Sequence, residues 1–281
     1  MNPLPCPLVD VHLHLQDDFL SARLDEILHL ARTAGVQGFI NNGAEESDWP
    51  QVLAQSRAHP AIVPCFGLHP WYVGARSPQW LETLEQHLDA VPSAVGEIGL
   101  DRWKEPRDEA AQEEVFRAQL AVARRRRLPA MIHCVRAWGW LMDVLRDEPP
   151  LPAGFLLHAY GGPAELIQPL AEMGAYFSYG GSTLDERKKL RRETLPLIPP
   201  DRLLLETDAP DMPPPPPHCL RPLQDQHGRR VNEPANLRPI LRGVAALLGM
   251  SEEALAQQLW QNTQRFLGPR LLPAPGPPPA P

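Results

Sequence analysis

Two histidines separated by a single residue, His12 and His14, are the first side chains whose types and spacing suggest chemistry. Their segment, PLVDVHLHL at 7–15, carries apolar residues at alternate positions, as a buried β-strand does. Alternate strand residues point to the same side, so both imidazoles would face one way and could chelate a divalent metal ion. The pair would suit two ordinary histidines of a core strand equally well, so other residues must decide between these interpretations.

Four more residues of metal-binding type lie at or near the ends of predicted strands later in the chain. They are Glu97, His133, His158 and Asp208. Each alone has an ordinary explanation, such as an ion pair or a histidine satisfied by hydrogen bonds. Apolar strands that end repeatedly in His, Glu or Asp are hard to explain by packing, because buried charge is costly unless it is paired or bound to a metal. The set of six candidate ligands therefore favours a metal site.

Strands and helices alternate along the chain, as its hydrophobic periodicity indicates. The predicted strands are 7–15, 38–43, 62–70, 94–100, 130–135, 154–159, 175–179 and 202–208. The predicted helices are 24–35, 48–59, 80–90, 107–127, 138–146, 163–174, 185–195, 235–248 and 251–266. This order predicts an α/β fold, a single-domain (β/α)8 TIM barrel whose strands all end at one mouth. An open doubly wound sheet is the alternative, but no Gly-rich phosphate loop follows the first strand.

The composition bounds the class of protein. The 281 residues are 43% hydrophobic, enough for a large core, and the net charge of −7 excludes a protein that coats nucleic acid by bulk charge. The sequence shows no stripe of aromatic and basic residues, which argues against tight, processive nucleic-acid binding. Four scattered cysteines, no signal peptide and no transmembrane run predict a reduced, cytoplasmic protein without membrane association.

Proline is clustered in two places. The run Met212–Pro217 predicts an extended, irregular loop. The segment 273–281 predicts a disordered tail, and we place the domain boundary so that the barrel covers 1–268 and the Pro-rich tail 269–281. No obligate protein partner is evident from the sequence, and any role of these two segments stays open.

Five sequence blocks resemble the signature blocks of the TatD-like metal-dependent hydrolases, within the amidohydrolase superfamily. The blocks are Asp10-Val-His-Leu-His14, Gly67-Leu-His-Pro70, Gly96-Glu-Ile-Gly-Leu-Asp101, Leu205-Glu-Thr-Asp-Ala-Pro210 and Asn232-Glu-Pro-Ala-Asn236. The resemblance covers nearly the whole chain, from about Leu8 to Leu267. The His-x-His block alone is weak, whereas its combination with GEIGLD and LETDAP is highly specific.

The resemblance implies a two-metal site that activates water for hydrolysis. The implied ligands are His12, His14 and Asp208 for one divalent ion, His133 and His158 for the other, and Glu97 as a bridge. Glu97 and Asp208 would be the catalytic residues, with Asp208 accepting the proton of the attacking water. The implied activity is a phosphodiesterase, most specifically a 3′-5′ deoxyribonuclease that binds DNA transiently. The ions would be Zn, Mn, Co, Ni or Mg, and the histidine-rich set suits the first four better.

Three residues are expected to contact the substrate. His69 in the Gly-Leu-His-Pro block would lie at the mouth, and a structural turn is the alternative. The family usually has an arginine two residues after the histidine of the fifth strand; here that place is Val135, and Arg136 would reach from one residue later. Arg230 would clamp phosphate, with solvated surface as the alternative.

Two other functions stay open at this point. The same metal site would serve a hydrolase of a small phosphoester, lactone or amide, because the phosphate-facing block departs from the family. A catalytically silent scaffold that binds a partner through the Pro-rich tail is a third interpretation, and the intact set of candidate ligands argues against it.

Overall fold

The computed structural model describes residues 4–272, and its central feature is a sheet of eight parallel strands in sequential order. The strands are β1 (Leu8–Leu13), β2 (Val36–Asn42), β3 (Ile62–Phe66), β4 (Ala94–Asp101), β5 (Ala130–Val135), β6 (Phe155–Leu157), β7 (Ala175–Tyr179) and β8 (Leu203–Leu205). The segment after β8 returns to β1, where Asp208 N donates to His12 O at 3.0 Å and His14 N donates to Ala209 O at 2.8 Å. The predicted TIM barrel is confirmed, nearly closed along this seam.

Helices follow the strands and cover the outside of the barrel. They are α1 (Asp18–Ser21), α2 (Leu24–Thr33), α3 (Trp49–Ala58), α4 (Trp80–Ala90), α5 (Glu109–Arg126), α6 (Trp138–Asp147), α7 (Ile167–Glu172), α8 (Lys189–Thr194), α9 (Leu237–Leu248) and α10 (Glu252–Leu271). A two-stranded hairpin of β9 (Leu223–Gln224) and β10 (Arg230–Val231) lies outside the barrel sheet. Within residues 4–272, no helix combines the length and the apolar character that a membrane crossing requires.

The apolar core has two layers because successive strand residues point to opposite sides of the sheet. The larger layer lies between the strands and the helices, and the smaller one fills the barrel with side chains such as Val11, Ile40 and Leu204. The end of α10 completes the inner layer, where the ring of Phe266 lies 4.8 Å from that of Tyr176. Apolar packing therefore closes the end of the barrel where the strands begin and leaves the other end for polar chemistry.

Several predicted elements end earlier than the sequence suggested. The strands predicted over 62–70, 154–159 and 202–208 stop at Phe66, Leu157 and Leu205 because the chain then turns across the barrel mouth. The helix predicted over 163–174 is a 3-10 turn, Ala164–Leu166, followed by α7, and the one predicted over 185–195 is reduced to α8. The contacts that end these elements come from distant parts of the chain. Hydrophobic periodicity is a local signal and cannot predict them.

The two Pro-rich segments differ from their predictions in detail. Residues 212–215 have no regular structure, as predicted, but Pro216–His218 form a turn of 3-10 helix. Residues 269–271, assigned to the tail, continue α10 after a break at Gly268, whose φ is 65°. Pro269 can begin this last turn because proline needs no N–H donor there, and Leu271 is buried in the inner layer. The segment 273–281 lies outside the described residues.

Candidate metal centre

The six candidate ligands meet at the mouth of the barrel. His12 lies in β1 and His14 follows it, Glu97 and His133 lie in β4 and β5, His158 follows β6, and Asp208 comes three residues after β8. All are buried except His14, which is partly exposed. Neighbouring nitrogen and carboxylate atoms of the set lie 2.9 to 3.7 Å apart. The structure therefore brings together every residue that the sequence nominated for metal binding.

Glu97 lies between the histidines, and its two carboxylate oxygens face different pairs of rings. Oε2 is 3.4 Å from Nε2 of both His12 and His14. Oε1 is 2.9 Å from His158 Nε2 and 3.0 Å from His133 Nδ1. Burial alone would raise the pKa of Glu97, but His158 and the imidazoles around it outweigh burial and hold the pKa well below its usual range. Glu97 is thus a buried anion shared by two groups of nitrogens.

The close approach of β4 and β5 sets the distance between Glu97 and His133. Gly99 pairs with His133 across these strands, and a Cβ atom on Gly99 would lie only 2.0 Å from His133 O. The φ of Gly99 is also +150°, a backbone conformation that other residues rarely adopt. The second glycine of the GEIGLD block is therefore required by local geometry.

Asp208 occupies the open side of the cluster. Its Oδ1 is 3.6 Å from His14 Nε2 and 3.7 Å from His12 Nε2. Its φ of 57° lies in the left-handed region, which aspartate tolerates better than most residues. The same seam is fixed by Asp10, whose carboxylate accepts hydrogen bonds from Thr207 N at 2.9 Å and Thr207 Oγ1 at 2.5 Å. The seam between β1 and β8 therefore positions His12 and Asp208 together.

Two imidazoles have a hydrogen-bond partner on the side away from Glu97. The pairs are His14 Nδ1 with Asn42 O at 2.8 Å and His133 Nε2 with Asp101 Oδ2 at 2.8 Å, whereas Glu206 Oε1 lies 4.0 Å from His158 Nδ1, beyond hydrogen-bond distance. Partners of this kind fix the orientation and tautomer of metal-binding histidines. Asp101 thus supports His133 from outside the cluster, and Asn42 does the same for His14.

Buried nitrogen atoms of the cluster are left without hydrogen bonds. Within residues 4–272, neither ring nitrogen of His12 makes a hydrogen bond, and the same is true of His158 Nδ1. Burial, reinforced by His158, lowers the pKa of His12 to about 4, so this imidazole is neutral at pH 7 and offers a lone pair. Unsatisfied buried polar atoms call for a partner. The donor set therefore fits a divalent cation, because ligand atoms lie within 4.8 Å of one another in three groups: His12, His14 and Glu97; His12, His158 and Asp208; and Glu97 and His133 together with His69.

The three predicted substrate contacts differ in position. His69 Nε2 lies 3.5 Å from Glu97 Oε1, while His69 Nδ1 accepts a hydrogen bond from Trp71 N at 3.2 Å, so the residue both faces the mouth and closes a turn. Arg136 directly follows β5 and is exposed, and it forms no hydrogen bond or ion pair with a described residue. Arg230 turns toward the Pro-rich loop, where it donates to Pro214 O at 2.5 Å.

Sequence reasoning missed Arg191, which lies within the helix predicted over 185–195 and carries no motif of its own. This residue of α8 is half-buried, with Nη2 3.3 Å from the point where a Cβ on Gly161 would stand, in the loop after β6. Its Nη1 has no hydrogen-bond partner among residues 4–272. Burial lowers the pKa of Arg191, while Glu206 and Asp208 are near enough to stabilise its charge in part. Arg191 is thus a cation beside the cluster that has no ion-pair partner within the described part of the chain.

Fold and site together define a class: a TIM barrel hydrolase with histidine and carboxylate side chains at the C-terminal mouth that are able to bind metal. The chain belongs to the TatD related DNase family, which it matches over residues 9–268. It is 35% identical over 265 residues to the 3′-5′ ssDNA/RNA exonuclease TatD of Pantoea vagans, covering 92% of this chain and 98% of that one. The resemblance seen in the sequence blocks is confirmed.

Two further similarities agree with this membership. The metal-dependent hydrolase YabD of Bacillus subtilis is 30% identical over 264 residues, covering 92% of this chain and 98% of that protein. The crystal structure of YJJV, a TatD homologue from Escherichia coli K12, superimposes with a TM-score of 0.85 at 28% identity, covering 93% of this chain and 98% of that one.

Proposed function

We propose that this chain is a two-metal phosphodiesterase that acts as a 3′-5′ deoxyribonuclease. The observation that carries the proposal is that the two carboxylate oxygens of Glu97 face two different groups of histidines. His12 and His14 are nearest Oε2, and His133 and His158 are nearest Oε1, with His69 farther from Oε1 at 3.5 Å. The proposed ligands are His12, His14 and Asp208 for one ion and His133 and His158 for the other, with Glu97 bridging. The exonuclease TatD of Pantoea vagans supports the choice of substrate.

Divalent ions held there would supply a hydroxide nucleophile near neutral pH and offset charge on the phosphoryl transition state. Asp208 is suited to accept the proton of the attacking water, because its side chain is 12% exposed whereas that of Glu97 is 3% exposed and enclosed by histidines. The same carboxyl group then returns that proton to the leaving oxygen. Asp208 and Glu97 are thus the proposed catalytic residues, the first as proton carrier and the second as the shared anion.

Cations around the cluster would hold the phosphate of the substrate. Arg191 has donors without partners in the described chain, and a guanidinium binds phosphate oxygens in a fork. Arg136 stands free at the mouth and would reach the same phosphodiester from the β5 side. His69 is proposed to contact the substrate from the β3 side. Arg230 stays a predicted contact that would require the Pro-rich loop to turn toward the mouth.

The proposal extends to the metal and the compartment. Four imidazoles in the ligand set favour Zn, Mn, Co or Ni over Mg, which prefers oxygen ligands. Cys6, Cys65, Cys134 and Cys219 all carry free thiols, which supports a cytoplasmic location. DNA is the proposed partner, bound only for the time of the reaction.

A screen of metals against substrates tests the proposed activity. Wild-type protein is loaded separately with Mg, Mn, Zn, Co or Ni and given end-labelled single-stranded DNA or bis-p-nitrophenyl phosphate. We expect stepwise shortening from the 3′ end, and Asp208→Asn should lower kcat by about 10²- to 10⁴-fold. Asp201→Asn, an exposed carboxylate in the turn before β8, is the matched control and should leave kcat unchanged. Failure of every metal to support cleavage of either substrate would refute the proposal.

A hydrolase of a small phosphoester, lactone or amide is the second candidate. The cleft beside the cluster has a volume of about 450 Å³, enough for a small molecule. The lining of this cleft is rich in carboxylates, which would repel a long polyanion; they are Asp17, Asp18, Glu45, Asp48 and Asp211. Faster turnover of lactones or amides than of phosphodiesters in a substrate panel would favour this candidate over the nuclease.

A further inference from the structure

Two tryptophans stand exposed beside the metal centre. Trp71 follows β3 and Trp103 follows β4, and their side chains are 38% and 56% exposed. The two ring centroids lie 5.9 Å apart, which brings indoles from separate loops into one aromatic surface. Large apolar rings that remain exposed to water do not gain the favourable free energy of burial. An exposed pair at the edge of a cleft therefore points to a ligand that covers it.

This aromatic surface adjoins the candidate ligands. The ring of Trp71 lies 5.0 Å from that of His69 and 6.3 Å from that of His133. Trp71 and Glu97 both line the same cleft. If the planar part of a ligand stacks on the indoles, the part of the ligand next to it would therefore lie over the metal centre.

Charge around the cleft favours an anion on the side of the tryptophans. Lys104 Nζ lies 4.4 Å from the ring centre of Trp71 and 5.8 Å from that of Tyr72. Lys104 forms no ion pair with any residue of the described range 4–272, so its charge is available to a ligand. The lining of the cleft, which includes Trp71, also contains the carboxylates named above, among them Asp17 and Asp211. A polyanion would therefore be repelled by the carboxylates of the cleft and attracted by Lys104.

The loop that carries Trp103 is fixed to the metal centre. Asp101 Oδ1 accepts hydrogen bonds from Trp103 N at 2.6 Å and Lys104 N at 3.0 Å, while Oδ2 pairs with His133. Arg102 next to them pairs with Glu109 at 2.8 Å. The surface is therefore preorganised, which lowers the entropic cost of binding a ligand there.

We propose that Trp71, Trp103 and Lys104 form a stacking platform for the unpaired bases of a single-stranded polynucleotide, with a backbone phosphate on Lys104. The inference rests on the proposed function and adds the surface that holds the strand. Every base has a face that can stack on an indole, so binding should show little sequence preference. Bases inside a duplex are already stacked, so the platform selects single strands and frayed ends. The sequence showed no aromatic and basic stripe because the residues come from two separate loops.

Binding of a labelled, hydrolysis-resistant single-stranded oligonucleotide to the metal-loaded enzyme tests the platform. Trp103→Ala should weaken binding by about tenfold, and Trp103→Phe, which keeps a stacking ring, should restore most of it. Leu197→Ala removes another exposed apolar side chain, 55% exposed, and is the control expected to bind like wild type. Circular dichroism and metal content should be the same in all variants.

An oligonucleotide with abasic 3′-terminal residues identifies the contact. Wild type should bind the abasic oligonucleotide about as weakly as Trp103→Ala binds the normal strand. Trp103→Ala should bind the abasic oligonucleotide only slightly more weakly than wild type does. Two results would overturn the platform. One is equal affinity of Trp103→Ala and wild type for the normal strand. The other is that the substitution and the removal of the bases each weaken binding independently, so that their factors multiply when both are made. Binding is measured without turnover, so this failure is distinguishable from failure of the nuclease proposal, which would appear as no cleavage of any phosphodiester by wild type.

Discussion

At the scale of single residues, Glu97 explains how so many ionisable side chains can be buried together. An isolated buried carboxylate would be protonated or would destabilise the fold. Here histidines surround it, and their nitrogens approach both of its oxygens to within 3.5 Å. The compensation is incomplete, because His12 keeps two nitrogens without hydrogen bonds in the described chain. The cluster therefore has the buried ligand atoms that metal binding requires.

Asp101→Ala should weaken metal binding by about 10- to 100-fold without removing any proposed ligand. The physical reason is that Asp101 holds His133 Nε2 at 2.8 Å and so leaves Nδ1 turned toward Glu97. Isothermal titration with Zn or Mn measures the change in affinity. Asp143→Ala, an exposed carboxylate on α6, is the control. Equal metal affinities of Asp101→Ala and wild type would show that Asp101 stabilises only the loop that carries Trp103 and Lys104, and not the metal centre.

Arg191→Gln should lower kcat/KM on phosphodiesters by about 10- to 100-fold while metal content stays unchanged, because a charge-assisted hydrogen bond to phosphate is lost. Steady-state kinetics on single-stranded DNA measures the effect. Arg187→Gln removes a nearby arginine that is 89% exposed and paired with Asp185, and it should behave like wild type. Equal losses in the two variants would mean that general electrostatics, not a contact, is responsible.

At the scale of elements, the site depends on where strands end and how closely they approach. Neighbouring strands β4 and β5 carry Glu97 and His133, and Gly99 allows them to come together. Strands β6 and β8 have only three residues each, so His158 and Asp208 lie beyond them in turns. Because β6 and β8 end early, the turns that follow them orient these two side chains toward the mouth.

Gly99→Ala should lower the free energy of unfolding by about 3 kcal/mol and reduce metal binding, because its Cβ would collide with His133 O in a backbone conformation that alanine avoids. Urea unfolding measures the change in stability. The control is Gly139→Ala in α6, where a Cβ would meet nothing within 4 Å. That variant should be unchanged or more stable by up to ~1 kcal/mol. Equal stability of both variants would contradict the role given to Gly99.

The sequence predicted the order of elements well because apolar runs and helical periodicity are local signals. It also predicted the residues that meet at the mouth, since each follows an apolar run in a barrel. It could not predict that Asp208 lies in a left-handed turn held by His12 O, because that contact joins opposite ends of the chain. The position of Arg191 beside the loop after β6 and the pairing of Trp71 with Trp103 were missed for the same reason.

At the scale of the whole molecule, stability and chemistry occupy opposite ends of the barrel. The inner apolar layer and the end of α10 fill the end where the strands begin. The basic end of α5 lies on that side too, where Arg126 pairs with Glu85 at 2.8 Å and Asp89 at 2.6 Å, as expected for a structural role. The mouth can therefore carry buried charge because the rest of the barrel is well packed.

Removal of metal by a chelator should lower the Tm by about 5 °C and abolish hydrolysis, because a cation bound only by the folded state adds about 2.7 kcal/mol at a hundredfold excess over its Kd. Differential scanning calorimetry before and after dialysis against the chelator measures the shift. Adding back Zn or Mn should restore both Tm and activity. An unchanged Tm after complete metal removal would be inconsistent with a cluster completed by cations.

The most direct test of the central claim is elemental analysis of metal-loaded protein, for wild type and for Glu97→Gln. A carboxylate shared by two groups of histidines predicts two divalent ions per chain in wild type. Glu97→Gln keeps the shape but removes the shared charge, and it should retain less than one ion, while the exposed control Glu193→Gln retains two. Wild type with less than one ion per chain, or Glu97→Gln with two, would contradict the account.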